Sequence, residues 1–422
     1  MTAAAARRAA GALVVALALA LAVGPEATVA ARPPAAAYEH APIVRAPAAI
    51  LVEPATGDVV YQRNARDERP IASTTKLMTA LITLERARLG QTLTAVRYRG
   101  APAESVIGLH AGERLTVADL LRGLLLASAN DAAATLAARI GGTRAAFVRL
   151  MNRRARALGL SETHYANPIG LDEAGNHSSA ADLVKLTLIL RRDRFFRAVT
   201  NLPSVTLRSG SHPRTILNRN VLVREVPVVN GVKTGHTATA GYVLVGSATR
   251  GGITVVSAVL GDPSEAARDA DSLALLRYGL ARYHKVAGTR RGATYATAKL
   301  AHRRQRVPLV ATRTVRRTVR RGEHLTTQIL GAPPALDGPL PAGARMGTIE
   351  VRWRGRVIDR VALVTARAVA RASVAQRAGG LIGHTLIVAI AGAAALGSLQ
   401  MVLLRRRVQR RRGGRAGKTE IA

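Results

Sequence analysis

The stretch Pro70-Ile71-Ala72-Ser73-Thr74-Thr75-Lys76-Leu77-Met78-Thr79 places a lysine three residues after a serine at the start of a helical pattern. Apolar residues recur at helical spacing from residue 74 to about residue 89. At a helix start, free N–H groups and the dipole favour negative charge at Ser73, and Lys76 lies on the same face. The pattern therefore indicates a serine activated by an adjacent amine. By itself it also fits an N-cap serine followed by a solvated lysine.

Two further short motifs follow in order, Ser128-Ala129-Asn130 and Lys233-Thr234-Gly235. The first lies between two helical stretches, so its polar residues either face a cleft or simply end one helix and cap the next. The second lies on an apolar strand, where an unpaired buried Lys233 is costly. Lys233 would be the second cation that, together with burial, lowers the pKa of Lys76. Gly235 permits close approach of another backbone, as pairing with an extended peptide requires.

The pattern along the chain predicts an α+β domain. Apolar strands at residues 49–52 and 59–61 flank a turn and form a hairpin, and helices follow. Three more strands lie within residues 228–260, so the sheet combines segments distant in sequence. Residues 290–370 change to short β-type runs between Arg-rich turns, which indicates a separate β-rich module.

The three motifs with their flanks resemble the low-molecular-mass penicillin-binding proteins, the serine D-Ala-D-Ala carboxypeptidases. The similar stretches are residues 70–79, Leu126-Ala127-Ser128-Ala129-Asn130-Asp131-Ala132-Ala133, and residues 233–242. Asn167-Pro168-Ile169-Gly170-Leu171, followed by residues 177–180, also resembles a family segment. The resemblance implies the β-lactamase/penicillin-binding (serine DD-peptidase) fold for residues 48–285. It also implies removal of the terminal D-Ala from peptidoglycan stem peptides, and β-lactams as covalent inhibitors.

The resemblance also implies roles for the motif residues. Ser73 becomes the nucleophile and Lys76 its general base. Ser128 relays a proton to the leaving amine, the Asn130 amide holds the substrate backbone, and Lys233 lines the cleft.

Four further positions complete the implied substrate site. Thr234 lines the cleft beside Gly235, and the backbone N–H of His236 joins that of Ser73 in an oxyanion hole. Arg268 matches the position of an arginine that binds the terminal carboxylate of the substrate, for which a bidentate guanidinium is suited. The alternative for Arg268 is a surface helix charge beside two acidic neighbours.

Three alternatives share much of this pattern. A class A β-lactamase needs a deacylating Glu followed four residues later by Asn, but Asn167 comes five residues after Glu162 and no Leu precedes it. A DD-endopeptidase shares all three motifs, although the β module favours the carboxypeptidase. A third alternative is an inactive homologue that only binds cell-wall material, against which the complete set of catalytic residue types argues.

The two ends of the chain predict export and anchoring. Residues 1–31 follow the basic, apolar and small-residue order of a signal peptide, and a Pro- and Ala-rich linker covers residues 32–47. Residues 381–404 carry no formal charge and are long enough for a transmembrane helix. The Arg-rich residues 405–422 then predict a cytoplasmic tail, with the catalytic domain on the extracytoplasmic side of the cell membrane.

The composition limits the remaining possibilities. A formal net charge of +36 invites a nucleic-acid partner, but the arginines are scattered and aromatic residues make up 3% of the chain, so no nucleic acid is expected. Anionic wall polymers and lipid headgroups are the expected anions. The sequence has no cysteine and no His, Asp or Glu cluster with ligand spacing, so no metal and no cofactor are expected.

Overall fold

The computed structural model describes residues 40–413, and along the chain one compact unit gives way to a second near Arg282. The predicted signal peptide of residues 1–31 lies outside the described residues and stays a prediction. The same holds for most of the linker and for residues 414–422 of the predicted tail.

A five-stranded sheet forms the base of the first unit. Its strands are β1 (Ala48–Glu53), β2 (Asp58–Arg63), β9 (Val229–Thr237), β10 (Gly241–Arg250) and β11 (Ile253–Asp262). Their spatial order is β2-β1-β11-β10-β9, with β1 antiparallel to β11 and Ile50 opposite Ala258. The first hairpin therefore pairs with a strand about 200 residues later in the chain, and the predicted α+β sheet built from distant segments is confirmed.

Helices make up most of the remainder of this unit. They are α1 (Lys76–Arg86), α2 (Val117–Leu126), α3 (Asn130–Gly141), α4 (Arg144–Ala157), α5 (Ala180–Leu190), α6 (Arg194–Thr200), α7 (Val221–Glu225) and α8 (Glu265–Arg282). Short two-stranded pairs join them: β3 (Arg69–Pro70) with β6 (His177–Ser178), β4 (Thr92–Thr94) with β5 (Arg114–Thr116), and β7 (Ser204–Leu207) with β8 (Arg214–Leu217). Side-chain caps start several helices, as where Thr116 accepts from the Asp119 amide.

One apolar core holds this unit together. Leu120, Leu121, Leu124 and Leu125 on α2 are all buried, because they recur at helical spacing on its inner face. The same core includes the inner residues of α1, α3 and α5 and apolar residues of β1, β10 and β11. The motif residues are thus attached to elements that a common core fixes in position.

The second unit is rich in β-structure. Its strands are β12 (Tyr283–Thr289), β13 (Thr294–Leu300), β14 (Arg306–Ala311), β15 (Val315–Arg320), β16 (Thr326–Leu330), β17 (Ala335–Leu336), β18 (Arg345–Trp353) and β19 (Arg356–Thr365). Six of them form a sheet in the order β16-β18-β19-β14-β13-β17, and β12 pairs with β15. A separate apolar core includes Leu309, Ile349, Val361 and Leu363. The unit includes β12, which precedes the predicted start at residue 290.

A single long helix, α9 (Val374–Gly413), follows the β-rich unit. Within it, Val388–Val408 is long and apolar enough to cross a membrane. The sequence placed the apolar span at residues 381–404 and ended it at the basic cluster. The helix continues through the basic residues to Gly413, because arginine is a good helix former, and the bounds of the predicted span stay a prediction.

Candidate active site

Ser73 lies in a short 3₁₀ turn, Ala72–Thr75, that leads directly into α1. The backbone N–H and the hydroxyl of Thr74 both donate to the carbonyl of Ile71, which fixes the turn. Ala72 adopts a positive φ of 47°, a strained conformation of the kind that collects at functional sites. From residue 71 to residue 83 every residue is buried except Ser73. The predicted nucleophile is therefore the only residue of this segment that is partly exposed to solvent.

Lys76 is fully buried and lies beside Ser73. Its Nζ atom is 2.8 Å from the Ser73 Oγ atom and donates to the carbonyl oxygen of Ile169 at 2.7 Å. Burial lowers the pKa of Lys76 to about 7; the positive charge of Arg219 adds to this, while Glu104 and Asp131 oppose it. An amine that is half deprotonated near neutral pH, at this distance, can accept the proton of the serine hydroxyl.

A second serine–lysine pair is formed by Ser128 and Lys233. The Lys233 Nζ atom donates to the Ser128 Oγ atom at 2.9 Å and to the carbonyl of Thr234 at 2.8 Å. Ser128 has a positive φ of 60° in the connection between α2 and α3. Burial lowers the pKa of Lys233 well below its usual value, and the positive charges of Lys76 and Arg219 add to the effect. The two pairs therefore share one electrostatic environment.

The cation that the sequence assigned to lowering the Lys76 pKa was Lys233. The charges of Lys76 and Lys233 do act on one another, and the structure adds a further cation, Arg219, whose charge lowers the pKa of both lysines. Its Nε atom donates to the carbonyl of Ala127, just before the Ser128 motif. Arg219 belongs to no recognisable motif, so the sequence offered no signal for it.

Asn130 is the first residue of α3, so the interpretation of this residue as a helix cap is wrong. Its backbone N–H donates to the carbonyl of Ser105, and its Nδ2 atom donates to the Glu104 carboxylate at 2.6 Å. The side chain is buried and its Oδ1 atom has no hydrogen-bond partner among the described residues. Glu104 was not singled out in the sequence.

Two glycines contact the backbone of the nucleophile. A Cβ atom added to Gly235 on β9 would lie 3.1 Å from the Ser73 nitrogen and 3.0 Å from the Ala72 Cβ atom. Gly170 has a φ of +94°, and a Cβ atom there would come within 2.0 Å of the Ala72 carbonyl oxygen. The close approach at Gly235 is thus made to the turn that holds Ser73, whereas the prediction from the sequence assigned it to an extended peptide. The Asn167–Leu171 segment reaches the same turn from elsewhere in the chain.

The remaining predicted positions lie on β9 and α8. Thr234 is buried next to Lys233, whereas the exposed ring of His236 stacks on Tyr242 with 4.1 Å between ring centroids. Arg268 is 2% exposed and its guanidinium is bonded to Glu265 and Asp269 at 2.8 Å each.

Arg268 is therefore not the solvated surface charge of the alternative interpretation. Its charge contributes to lowering the Lys233 pKa, so it acts on the same site.

A cavity of about 730 Å³ lies beside that site and is lined by Ala127 and several basic residues, including Arg219 and Arg224.

Comparison with known proteins identifies the family. The model of the D-alanyl-D-alanine carboxypeptidase family of serine peptidases matches residues 35–264, more than half of the chain. The chain belongs to this family. It is accordingly a serine-type D-Ala-D-Ala carboxypeptidase, which confirms the function predicted from the motifs. The β-lactamase alternative is not favoured, and Glu162, its nearest candidate for a deacylating residue, instead pairs with Arg66 at the surface.

Relatives and solved structures agree with the family assignment. The D-alanyl-D-alanine carboxypeptidase DacC of Escherichia coli is 33% identical over 77% of this chain and 84% of its own length. DacF of Bacillus subtilis is 29% identical over 74% of this chain and 83% of its own. Penicillin-binding protein 5 of Haemophilus influenzae is 27% identical, with a TM-score of 0.57 over 79% of this chain and 99% of its own. The Streptomyces K15 DD-transpeptidase is 34% identical, with a TM-score of 0.54 over 57% of this chain and 99% of its own.

Proposed function

We propose that the protein removes the terminal D-Ala from peptidoglycan stem peptides through an acyl-enzyme on Ser73. The observation that carries the proposal is the 2.8 Å contact between the Ser73 Oγ atom and the Nζ atom of Lys76. The lysine is buried with a pKa of about 7, and the serine is the open residue of its segment. A nucleophile and its base are thereby preassembled near neutral pH.

The acylation step follows from the two serine–lysine pairs. Neutral Lys76 takes the hydroxyl proton as the Ser73 Oγ atom attacks the carbonyl of the penultimate D-Ala. The backbone N–H groups of Ser73 and His236 stabilise the oxyanion. Ser128, bonded to Lys233, gives its hydroxyl proton to the leaving D-Ala amine and is reprotonated by the proton that Lys76 took from Ser73, which returns Lys76 to its neutral form. Water then hydrolyses the ester and regenerates Ser73.

Substrate recognition is assigned to β9, Asn130 and Arg268. The peptide lies extended along β9, where Thr234 and Gly235 line the cleft and the missing side chain of Gly235 lets the strand pack against the Ser73 turn. The Asn130 amide holds the peptide backbone. Arg268 attracts the terminal carboxylate of the substrate. Because the guanidinium is already paired with Glu265 and Asp269, its attraction for the substrate is weaker than that of an unpaired arginine.

β-Lactams are proposed as covalent inhibitors of the same serine. Ser73 attacks the lactam carbonyl as it attacks the peptide carbonyl, and the ring opens to leave an acyl-enzyme. A solved relative with 27% identity is named as a penicillin-binding protein, which supports this proposal.

The chain is further proposed to be a single-pass membrane protein with its catalytic unit on the extracytoplasmic side. Val388–Val408 supplies a helix of sufficient length and apolar character. The arginines from residue 405 onward favour the cytoplasmic side for the end of the chain. The substrate, a cell-wall peptide, is outside the cytoplasm, which agrees with this orientation.

Mass spectrometry of the intact protein after penicillin treatment tests the nucleophile. We expect one adduct per chain, located on Ser73, and none on the Ser73→Ala variant. Ser204→Ala, which alters an exposed serine on β7, is the matched control and should label as the unchanged protein does. Release of free D-Ala from a peptide ending in D-Ala-D-Ala, without cleavage of cross-linked dimers, separates the carboxypeptidase from the endopeptidase. Full labelling of the Ser73→Ala variant would refute the assignment.

A further inference from the structure

Glu104 lies outside all three motifs but at the centre of a hydrogen-bonded group beside the active site. Its Oε2 atom accepts from the Asn130 Nδ2 atom at 2.6 Å and from the Tyr98 hydroxyl. Its Oε1 atom accepts from the backbone N–H of Ala101 at 2.9 Å. Burial alone would raise the pKa of Glu104, but the hydrogen bonds from Tyr98, Ala101 and Asn130 lower it overall. Glu104 is therefore an ionised carboxylate at neutral pH.

An ionised carboxylate fixes the orientation of the Asn130 amide. Because the carboxylate can only accept, the NH₂ edge of Asn130 must face it. The Oδ1 edge then faces away, and that oxygen is buried without a partner among the described residues. A buried polar atom without a partner is costly unless a ligand completes it. The pairing with Glu104 thus determines which donor and acceptor atoms Asn130 presents to a substrate.

Glu104 is also part of the charge balance around Lys76. The charged groups that face Lys76 are Glu104, Asp131, Arg219 and Lys233. Of the two carboxylates, Glu104 has the larger effect on the Lys76 pKa, and it raises this pKa against burial and Arg219. Asp131 is in addition bonded to the backbone N–H groups of Ile107 and Leu109, which share its charge.

We propose that Glu104 is a positioning residue of the active site, which fixes the presented edge of the Asn130 amide and balances the positive charge around Lys76. This inference rests on the proposed function, in which Lys76 is the base and Asn130 holds the substrate. Glu104 acts on the reaction through Lys76 and Asn130. It forms no hydrogen bond with Ser73, Lys76 or Lys233.

The experiment compares the pH dependence of penicillin acylation in the full-length protein and three variants. Glu104→Gln removes the charge but keeps an acceptor, so the acid limb of the profile should move by about one unit to lower pH, the scale set by one neighbouring charge. Arg219→Gln removes a positive charge and should move the limb in the opposite direction. Tyr98→Phe removes one hydrogen bond while leaving the Glu104 charge, and its limb should stay in place.

The plateau rate gives the second readout. Glu104→Ala leaves the Asn130 amide without its partner, and we expect acylation at high pH to fall about tenfold, the scale of one hydrogen bond to a charged group. Glu104→Gln should lose less, because its amide oxygen still accepts from Asn130. Thermal unfolding of each variant checks that the fold is intact.

Two different failures can be told apart. If the unchanged protein forms no adduct on Ser73, the proposed function fails and the inference falls with it. If the unchanged protein labels normally, but the acid limb of the Glu104→Gln pH profile coincides with that of the unchanged protein, the inference alone is overturned. A lower unfolding temperature and lower plateau with an unmoved limb would likewise overturn it, since that is the outcome of a merely structural Glu104.

Discussion

The Nζ atom of Lys233 lies 2.9 Å from the Oγ atom of Ser128, although 105 residues separate them in the chain. The Ser73–Lys76 contact of 2.8 Å is made within a single helical turn. One pair is therefore fixed by local geometry and the other by the packing of β9 against the helices. Burial lowers the pKa of both lysines, that of Lys76 to about 7, so each serine has a buried amine with a lowered pKa beside it.

Acylation by penicillin should rise with pH through about 7 and level off above it, because Lys76 must lose its proton before it can act as a base. The second-order rate constant, measured with a fluorescent penicillin from about pH 5.5 to about pH 9, gives the profile. Lys76→Arg keeps a charged side chain at every pH in this range and should slow acylation about 1,000-fold. A level profile in the unchanged protein below pH 8 would contradict the role of Lys76.

Arg268→Ala should weaken the hydrolysis of peptides with a free terminal carboxylate about tenfold or more, while sparing analogues in which an ester or amide replaces it. Steady-state kinetics on the paired substrates measures the difference, and Arg268→Lys is the charge-preserving control. Because Arg268 is buried and bonded to Asp269, the Ala variant should also unfold at a lower temperature. Equal losses on both substrate types would show that Arg268 is structural.

Asp262 gives the folded protein a pH dependence that is separate from catalysis. Burial, with the neighbouring Asp271 carboxylate, raises the Asp262 pKa to about 7. A raised carboxyl pKa stabilises the fold at low pH, and this contribution is lost as the pH rises from the ordinary range of aspartate through about 7. Asp262→Asn should therefore gain stability relative to the unchanged protein as the pH rises. Unfolding temperatures at about pH 5 and about pH 8 test this, and a constant difference between the two proteins would refute it.

Residues that act through local spacing could be predicted from the sequence. Ser73 and Lys76 are neighbours on one helical turn, and the Lys233 motif lies on an apolar strand, so the sequence pattern was enough to locate them. Their assembly into one fold followed from the order of the three motifs. The hairpin and the strands of β9 to β11 were found for the same reason.

Residues that act through tertiary packing could not be predicted. Arg219 and Glu104 lie in connections without a recognisable motif, and only the fold brings their charges near Lys76. The burial of Arg268 on α8 also depends on what packs over it, since the spacing to Glu265 suits a solvated helix face equally well. The orientation of Asn130 depends on Glu104, a partner 26 residues earlier.

Removal of residues 379–422 should release a soluble and active enzyme, because no predicted catalytic or substrate-binding residue lies beyond Arg268. The full-length protein should resist extraction from membranes by alkaline carbonate, since Val388–Val408 is long enough to span the hydrocarbon core. Fractionation followed by penicillin labelling measures both outcomes. Stripping of the full-length protein by carbonate would show peripheral attachment instead.

The two glycines that contact the Ser73 turn determine how the active site tolerates mutation. Gly170 and Gly235 do no chemistry, yet a single added methyl group at either position meets the backbone of Ala72 or Ser73. In a saturation mutagenesis screen for activity, Gly170 should therefore be as intolerant as the nucleophile itself, and Gly235, whose contacts are 3.0 to 3.1 Å, should be less so. Such a screen would identify, as essential, both residues that take part in the reaction and glycines that only allow the backbone around Ser73 to pack.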